Sequence, residues 1–259
     1  MKERRYKIQK ILEKTGEVSL EQLSVIFPNV SRMTLRRDFD YLQAGGIAFR
    51  IHGGARHADY KAGKGYKKIE NRTELDFSTR AGKNQEAKNI IARKTLELIP
   101  NGSNIFLDSG TTALILARFL KTHNLSVVTT GPNIALELAA ESNCNFTLLG
   151  GQLNRYNLTL AGALALDNLD KFDIEIAVMT AAGYSADCGF SCGSYMEAEI
   201  KRKVLFKAKN KIMLADSSKY GVAMDFVFAD FCDINYFVTD AAVTEDILEA
   251  AEQAWVKVL

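Results

Sequence analysis

The run VSRMTLRRDFDYLQAGGIAFRIHGGA, Val30 to Ala55, changes period part-way along, and that change decides the fold of the N-terminal region. In its first half Leu35, Phe39 and Leu42 recur at intervals of four and three, the stripe of a helix that Ser31 is placed to cap. Gly45-Gly46 ends it. In the second half Ile47, Phe49 and Ile51 alternate with Ala48, Arg50 and His52 before Gly53-Gly54. A period of two predicts a short hairpin with one buried face and one basic face. At about 100° per residue from Leu35, Arg36 and Arg37 fall at about 100° and 200°, off the apolar stripe and able to meet a polyanion.

Upstream, Ile8, Ile11 and Leu12 predict a helix from about Glu3 to Lys14 that Gly16 stops. Ser19 followed by Gln22 is a capping-box pattern opening a second helix through Leu20, Leu23 and Ile26, which Pro28 must end. Two short helices joined by the tight Pro28-Asn29-Val30 connection have the form of a helix-turn-helix, whose second helix enters the DNA major groove by its first turn. The plain alternative is a three-helix bundle with a solvated face. The hairpin weighs against it, because a β-hairpin after the reading helix is the wing of a winged helix. Candidate contacts to double-stranded DNA are therefore Ser31, Arg32, Met33, Thr34, Arg36 and Arg37 on the helix, with Arg50 and His52 on the wing.

Charge agrees in direction. Residues 1–60 carry eleven Lys or Arg against seven acids, a net +4 that leaves −2 on the rest of this 259-residue, +2 chain. A basic first quarter on a near-neutral body places any polyanion partner at the N-terminal end. The charged start Lys2-Glu3-Arg4-Arg5 does not develop into a secretion signal, and no apolar run is long enough to span a membrane. A cytoplasmic protein without membrane association is expected, with Cys144, Cys188, Cys192 and Cys232 reduced and serving as packing residues. Cys188 and Cys192 lack a second pair or a nearby histidine, so no metal site is expected.

The chain divides into residues 1–57, a polar linker at 58–82 without steady period, and a body at 83–259. From a helix starting at Gln85, apolar runs alternate with helical segments. The runs are Asn104–Leu107, Leu125–Thr129, Phe146–Leu149, Ile174–Met179, Ile212–Ala215 and Tyr236–Val238. Helical segments at Thr112–Lys121, Asn133–Ala140, Met196–Ala208 and Thr244–Ala254 separate most of them. Such alternation predicts an α/β domain with a mostly parallel sheet. Ligands bind such sheets beyond the carboxyl ends of the strands. There the sequence offers Asp108-Ser109-Gly110-Thr111-Thr112 at a helix start, Thr129-Thr130-Gly131, Gly150-Gly151, Ala182-Gly183 and Asp216-Ser217-Ser218-Lys219. Helix-start N–H groups, hydroxyls and close backbone approach at Gly110 make a phosphate cradle, with Lys219 as a candidate charge. The missing lysine after the glycine rules out a P-loop.

These residues also resemble a known family. Arg36-Arg37-Asp38 and His52-Gly53-Gly54-Ala55 look like the signature of the DeoR-type repressors of sugar metabolism. The body resembles their effector domain, related in fold to ribose-5-phosphate isomerase, through Asp108 to Thr112, Gly150-Gly151, the helix bearing Glu197 and Lys201, and Asp216 to Tyr220. The resemblance implies a repressor of a carbohydrate-metabolism operon, relieved by a phosphorylated sugar and working without a cofactor. Its expected effector contacts are Asp108, Ser109, Gly110, Thr111, Thr112, Thr130, Gly150, Gly151, Gly183, Glu197, Lys201, Asp216 and Lys219. Paired half-sites imply a homodimer or homotetramer. Two rivals stand beside this reading. A sugar-phosphate isomerase or deaminase with a DNA-binding appendage needs a positioned acid or base. Asp108, Asp187, Glu197 and Asp216 are available for that, but His52, His57 and His123 all lie away from strand carboxyl ends. A DNA-binding scaffold with a dead pocket is the other.

Overall fold

The computed structural model describes residues 2–51, 54–57 and 75–259, and these fall into two separately packed units. In the first, α1 (Lys2–Thr15), β1 (Glu17–Ser19), α2 (Leu20–Ile26) and α3 (Arg32–Ala44) precede the hairpin β2 (Ala48–Ile51) and β3 (Gly54–His57). Ile8, Leu12, Leu23, Leu35, Phe39 and Leu42 are all within 1% of full burial and form its core. The boundaries have local causes. Gly16 at φ 81° donates to the Leu12 carbonyl and closes α1. The Ser19 hydroxyl accepts from Gln22 N while the Gln22 side chain accepts from Ser19 N, so the capping box is complete. Ser31 caps α3 by accepting from Thr34 N.

Two features differ from the sequence expectation. β1 joins the hairpin to make a three-stranded sheet in the order β1-β3-β2, a partner that three residues between two helices did not announce. Ala48, expected on the outer face, is only 1% exposed and packs into the core with Ala55. Ile47 is half-buried against the same core, and the side chains of Phe49, Arg50 and Ile51 lie outside the described residues.

The second unit holds α4 (Phe77–Gly82), α5 (Gln85–Leu96), β4 (Asn104–Leu107), α6 (Thr111–Leu120), β5 (Ser126–Thr129), α7 (Pro132–Ala139) and β6 (Asn145–Leu148). It continues through β7 (Gln152–Asn154), β8 (Thr159–Ala161), α8 (Ala163–Leu169), β9 (Ile176–Thr180), β10 (Gly183–Ser185), β11 (Gly189–Cys192) and α9 (Tyr195–Lys207). β12 (Asn210–Leu214), β13 (Phe226–Ala229), β14 (Tyr236–Val238), α10 (Glu245–Gln253) and β15 (Lys257–Val258) complete it. Seven of these strands form one parallel sheet, ordered β15-β14-β12-β9-β4-β5-β6. Its two faces are covered by different cores, as the two-residue period requires. Ile105, Leu107, Ile176 and Val178 face one cluster, while Phe106, Ala177 and Met179 face the other.

Strand order runs outward in opposite directions from β4 and β9, which opens a crevice above their carboxyl ends. The end of the stretch read as a linker is not irregular: Asp76 caps α4, Phe77 is buried, and Phe77 N donates to Tyr156 O at 2.7 Å. Residues 58–74 lie outside the described residues. Of the four cysteines, none is disulfide-bonded; Cys144 and Cys192 are buried, whereas Cys232 is exposed and is not the packing residue expected.

Candidate functional site

The start of α3 presents Ser31, Arg32, Met33, Arg36 and Arg37 to solvent, with Thr34 half-buried beneath them. Next to them in the helix sits Asp38, 1% exposed, whose two oxygens accept from Arg4 Nε at 2.5 Å and Arg5 Nε at 2.8 Å. Burial pushes the Asp38 carboxyl up, but the hydrogen bonds and charges of Arg4 and Arg5 together hold it below the usual carboxylate range. This clamp ties α1 to α3. His52 and the side chain of Arg50 lie outside the described residues.

In the second unit a cavity of about 620 Å³ occupies the crevice between β4 and β9. The start of α6 forms one wall with Ser109, Gly110, Thr111 and Thr112; Thr180, Ala181 and Ala182 follow β9; Asp216, Ser218 and Lys219 follow β12. The opposite wall is α4 and the start of α5, through Leu75, Arg80, Lys83, Asn84 and Lys88. Asn157, Thr159 and Glu197 complete the lining on the side of β8 and α9. No side chain caps α6, whose first N–H groups open beside these hydroxyls.

An ion network underlies this cavity. Lys201 Nζ meets Asp108 Oδ2, donates to Thr180 O at 3.0 Å and lies 3.2 Å from Glu197 Oε1. Thr180 donates to the same Asp108 oxygen through its N–H at 2.9 Å and its hydroxyl at 2.6 Å. Burial opposes charge on both partners. It is outweighed for Asp108 by the Lys201 charge and hydrogen bonds from Lys201 and Thr180, which hold the carboxyl below its ordinary range. Asp108 and Glu197 likewise push Lys201 above an ordinary lysine. Asn157 donates Nδ2 to Glu197 Oε2 at 2.7 Å, which leaves its buried Oδ1 without a hydrogen-bond partner beside the cavity.

This pairing of a capped reading helix with a ligand-sized cavity at a sheet switch point agrees with comparison to known proteins. Residues 4–61 match the DeoR-like helix-turn-helix domain and residues 83–241 the DeoR C terminal sensor domain. The chain belongs to the DeoR family of transcription regulators. It is similar to a putative aga operon transcriptional repressor of Escherichia coli O157:H7, 28% identical over 99% of this chain and 93% of the relative. It is also 30% identical to the glycerol-3-phosphate regulon repressor of Escherichia coli K12, over 83% of this chain and 81% of that one. Among solved structures, ribose 5-phosphate isomerase A from Methanocaldococcus jannaschii aligns with 53% of this chain and 55% of its own, at 19% identity and a TM-score of 0.40.

Against that family frame, the residues expected to meet an effector separate into two groups. Ser109, Gly110, Thr111, Thr112, Glu197, Asp216 and Lys219 line the cavity of this DeoR-family protein. Asp108 and Lys201 lie beneath it, spent on each other. Thr130, Gly150, Gly151 and Gly183 are absent from the lining. Thr130 is fully buried with its hydroxyl unbonded, and Gly183 serves packing: a Cβ there would sit 2.1 Å from the Val222 carbonyl. Gly110 carries a second constraint, since its Cβ would lie 2.5 Å from Thr180 Oγ1, the hydroxyl that holds Asp108. Arg80, Lys83, Asn84, Lys88, Asn157, Thr159 and Thr180 line the cavity without having been expected there. The first four precede the first strand of the sheet, where the strand-end rule gives no signal. The run of three cations Arg80, Lys83 and Lys88 at the start of the body was the available clue.

Proposed function

We propose that this DeoR-family protein is a cytoplasmic repressor of carbohydrate-metabolism genes, released from its operator by a phosphorylated sugar. The observation that carries this reading is the composition of the cavity. Uncapped N–H groups at the start of α6 and a cationic wall suit a phosphate, while Thr159, Thr180 and the unsatisfied Asn157 oxygen suit hydroxyls. The names of the relatives, repressors of the aga operon and of the glycerol-3-phosphate regulon, agree with it. DNA reading belongs to Ser31, Arg32, Met33, Thr34, Arg36 and Arg37, with Arg50 and His52 on backbone phosphates, in a homodimer or homotetramer that meets two half-sites.

The engagement of the carboxylates favours a sensor over an isomerase or deaminase. Asp108 is locked by Lys201 and Thr180, and Asp216 Oδ1 accepts from Asn84 and Ser218. An acid or base needs a pKa poised near the working pH; the Asp108 carboxyl is held the other way.

The test is release of bound genomic DNA fragments by a panel of pentose and hexose phosphates, each beside its unphosphorylated sugar. The phosphorylated member should release DNA and the plain sugar should not. By linkage, bound DNA should weaken the same sugar phosphate by the same factor. Equal release by both forms of each sugar, or turnover of a sugar phosphate during the assay, would overturn the reading.

A further inference from the structure

The seven-stranded sheet ends on two unlike edges. β15 is two residues long and carries the exposed Lys257, the short, charged form in which an edge is guarded against further pairing. β6, Asn145-Phe146-Thr147-Leu148, has no such guard. All four of its residues are exposed, and from Ser142 to Asn154 the chain holds neither a charged residue nor a proline. Parallel sheets are ordinarily covered on both faces. Here Phe146 and Leu148 are each 38% exposed, and Leu136 of the adjoining α7 and Leu153 of β7 are more so.

The open side of β6 can be read residue by residue. Asn145 and Leu149 donate their N–H groups inward, to Leu125 O at 2.8 Å and Thr129 O at 2.9 Å. Backbone groups alternate sides along a strand, so the N–H and C=O of Phe146 and Leu148 point away from the sheet. Among the described residues, β5 is the strand that pairs with β6, and nothing pairs on the outer side.

We infer that β6 is the surface through which two copies of this chain join, antiparallel about a twofold axis at Thr147. A second copy is the occupant the geometry favours, because a twofold normal to a sheet lays an edge strand antiparallel against itself and keeps each face on its own side. The register that uses every outward group sets Phe146 opposite Leu148 of the second copy, twice, and Thr147 opposite itself. Each Phe146–Leu148 pair exchanges both of its bonds, about four in all. The same register places those apolar pairs on the face of α7 and brings the two Thr147 hydroxyls together on the other face, both favourable cross-strand combinations. Around a twofold each residue meets its own kind, so a charge at the axis would repel its copy. The uncharged stretch 142–154 meets that condition. This rests on the homo-oligomer of the proposed function and assigns its self-association to one edge of the second unit.

Sedimentation equilibrium of the full-length chain should give at least twice the mass of the 259-residue monomer. Thr147→Lys puts two ammonium groups at the axis and should halve that mass without altering the circular dichroism spectrum. Opposed residues of a non-hydrogen-bonded pair have Cα atoms about 4.5 Å apart, inside the range of about 4.4–6.8 Å that a disulfide spans. In a Cys232→Ser background, which alone should not cross-link, Thr147→Cys should then join two chains under mild oxidation. Asn145→Cys, on the same face but off the axis, should not. In the wild type the amides of Phe146 and Leu148 should exchange slowly with deuterium, a reading indifferent to variant folding. Unchanged mass in Thr147→Lys with no Thr147→Cys cross-link, or fast exchange of both amides in an oligomeric wild type, would overturn the assignment and leave the paired reading of half-sites intact. A wild type that is monomeric at every concentration would overturn both, and protected amides in that monomer would give the edge to another segment of the same chain.

Discussion

The two units carry the same chemistry in opposite settings. At the start of α3, Arg32, Arg36 and Arg37 are exposed side chains on a helix that a buried carboxylate, Asp38, ties to α1. In the cavity, Lys88 is 4% exposed and Lys201 beneath it 1%. Exposed arginines suit an extended polyanion, where several solvated contacts add up and the planar guanidinium reads base edges and phosphates alike. Buried lysines suit a single small anion, where each charge is costly unless answered. The comparison teaches that the position of a cation, not its type, sets how much the fold depends on it.

Lys201 gives that comparison its largest expected effect. Lys201→Met leaves Asp108 charged and buried, and breaking a buried pair from one side costs about 3–5 kcal/mol. Urea unfolding should show the loss in the second unit. Acid should reproduce it in the wild type. The folded Asp108 carboxyl is held below its unfolded value, so the pair's contribution is full above the ordinary carboxylate range and is lost as pH falls through the depressed value. Unfolding of Lys201→Met at the wild-type urea midpoint would erase the contrast between the units.

Arg36→Ala and Arg37→Ala come next and should act on the other side of the comparison, on binding alone. Each should cost about 1–3 kcal/mol of operator affinity if it reads a base, and should flatten the salt dependence if it meets a phosphate. Thermal stability and sugar-phosphate binding should not move. Full operator affinity in both variants, measured by fluorescence anisotropy, would remove α3 as the reading helix. Ser31→Ala has the smallest expected effect. Loss of the Thr34 N–H contact should lower stability of the first unit by about 1 kcal/mol. A loss of DNA affinity no larger than the loss of stability would remove the Ser31 hydroxyl from the DNA contacts.

Much of this architecture was legible because it is periodic. Leu35, Phe39 and Leu42 announce α3 by spacing, Ser19 and Gln22 announce α2 by a reciprocal pair of hydrogen bonds, and the apolar runs give strand after strand of the parallel sheet. Elements with no period of their own stayed hidden. β1 is three residues long and exists through pairing with β3, far along the chain, while β7 with β8 and β10 with β11 are local antiparallel ribbons whose strands are too short to show a period. The cavity divided the same way. Ser109 to Thr112 follow a strand directly, and the rule that ligands sit beyond strand ends finds them. Lys88 faces the cavity from a helix that precedes the sheet, and Asn157 from the approach to β8; only the closed fold brings either there. Asp108 and Lys201 were recognised as a set with the cavity but placed one layer too high, since sequence does not reveal that 93 residues of separation end in a contact.

The positive wall of the cavity also bears on how a switch of this kind behaves in brine. Operator release and effector capture would both be exchanges of anions, but they feel mobile ions unequally. DNA affinity falls with a log–log slope of about −0.9 for each phosphate neutralised, because condensed counterions are set free. A single phosphate enclosed in the cavity would be shielded much less by ions that act over about 8–10 Å of open water. Raising the ionic strength should then loosen the DNA-bound form faster than it loosens the sugar-phosphate complex. The sugar-phosphate concentration for half release would fall, with no change in the cavity itself. A cell that concentrates potassium under osmotic stress would lower the threshold of the switch by chemistry that acts on the DNA-binding unit alone.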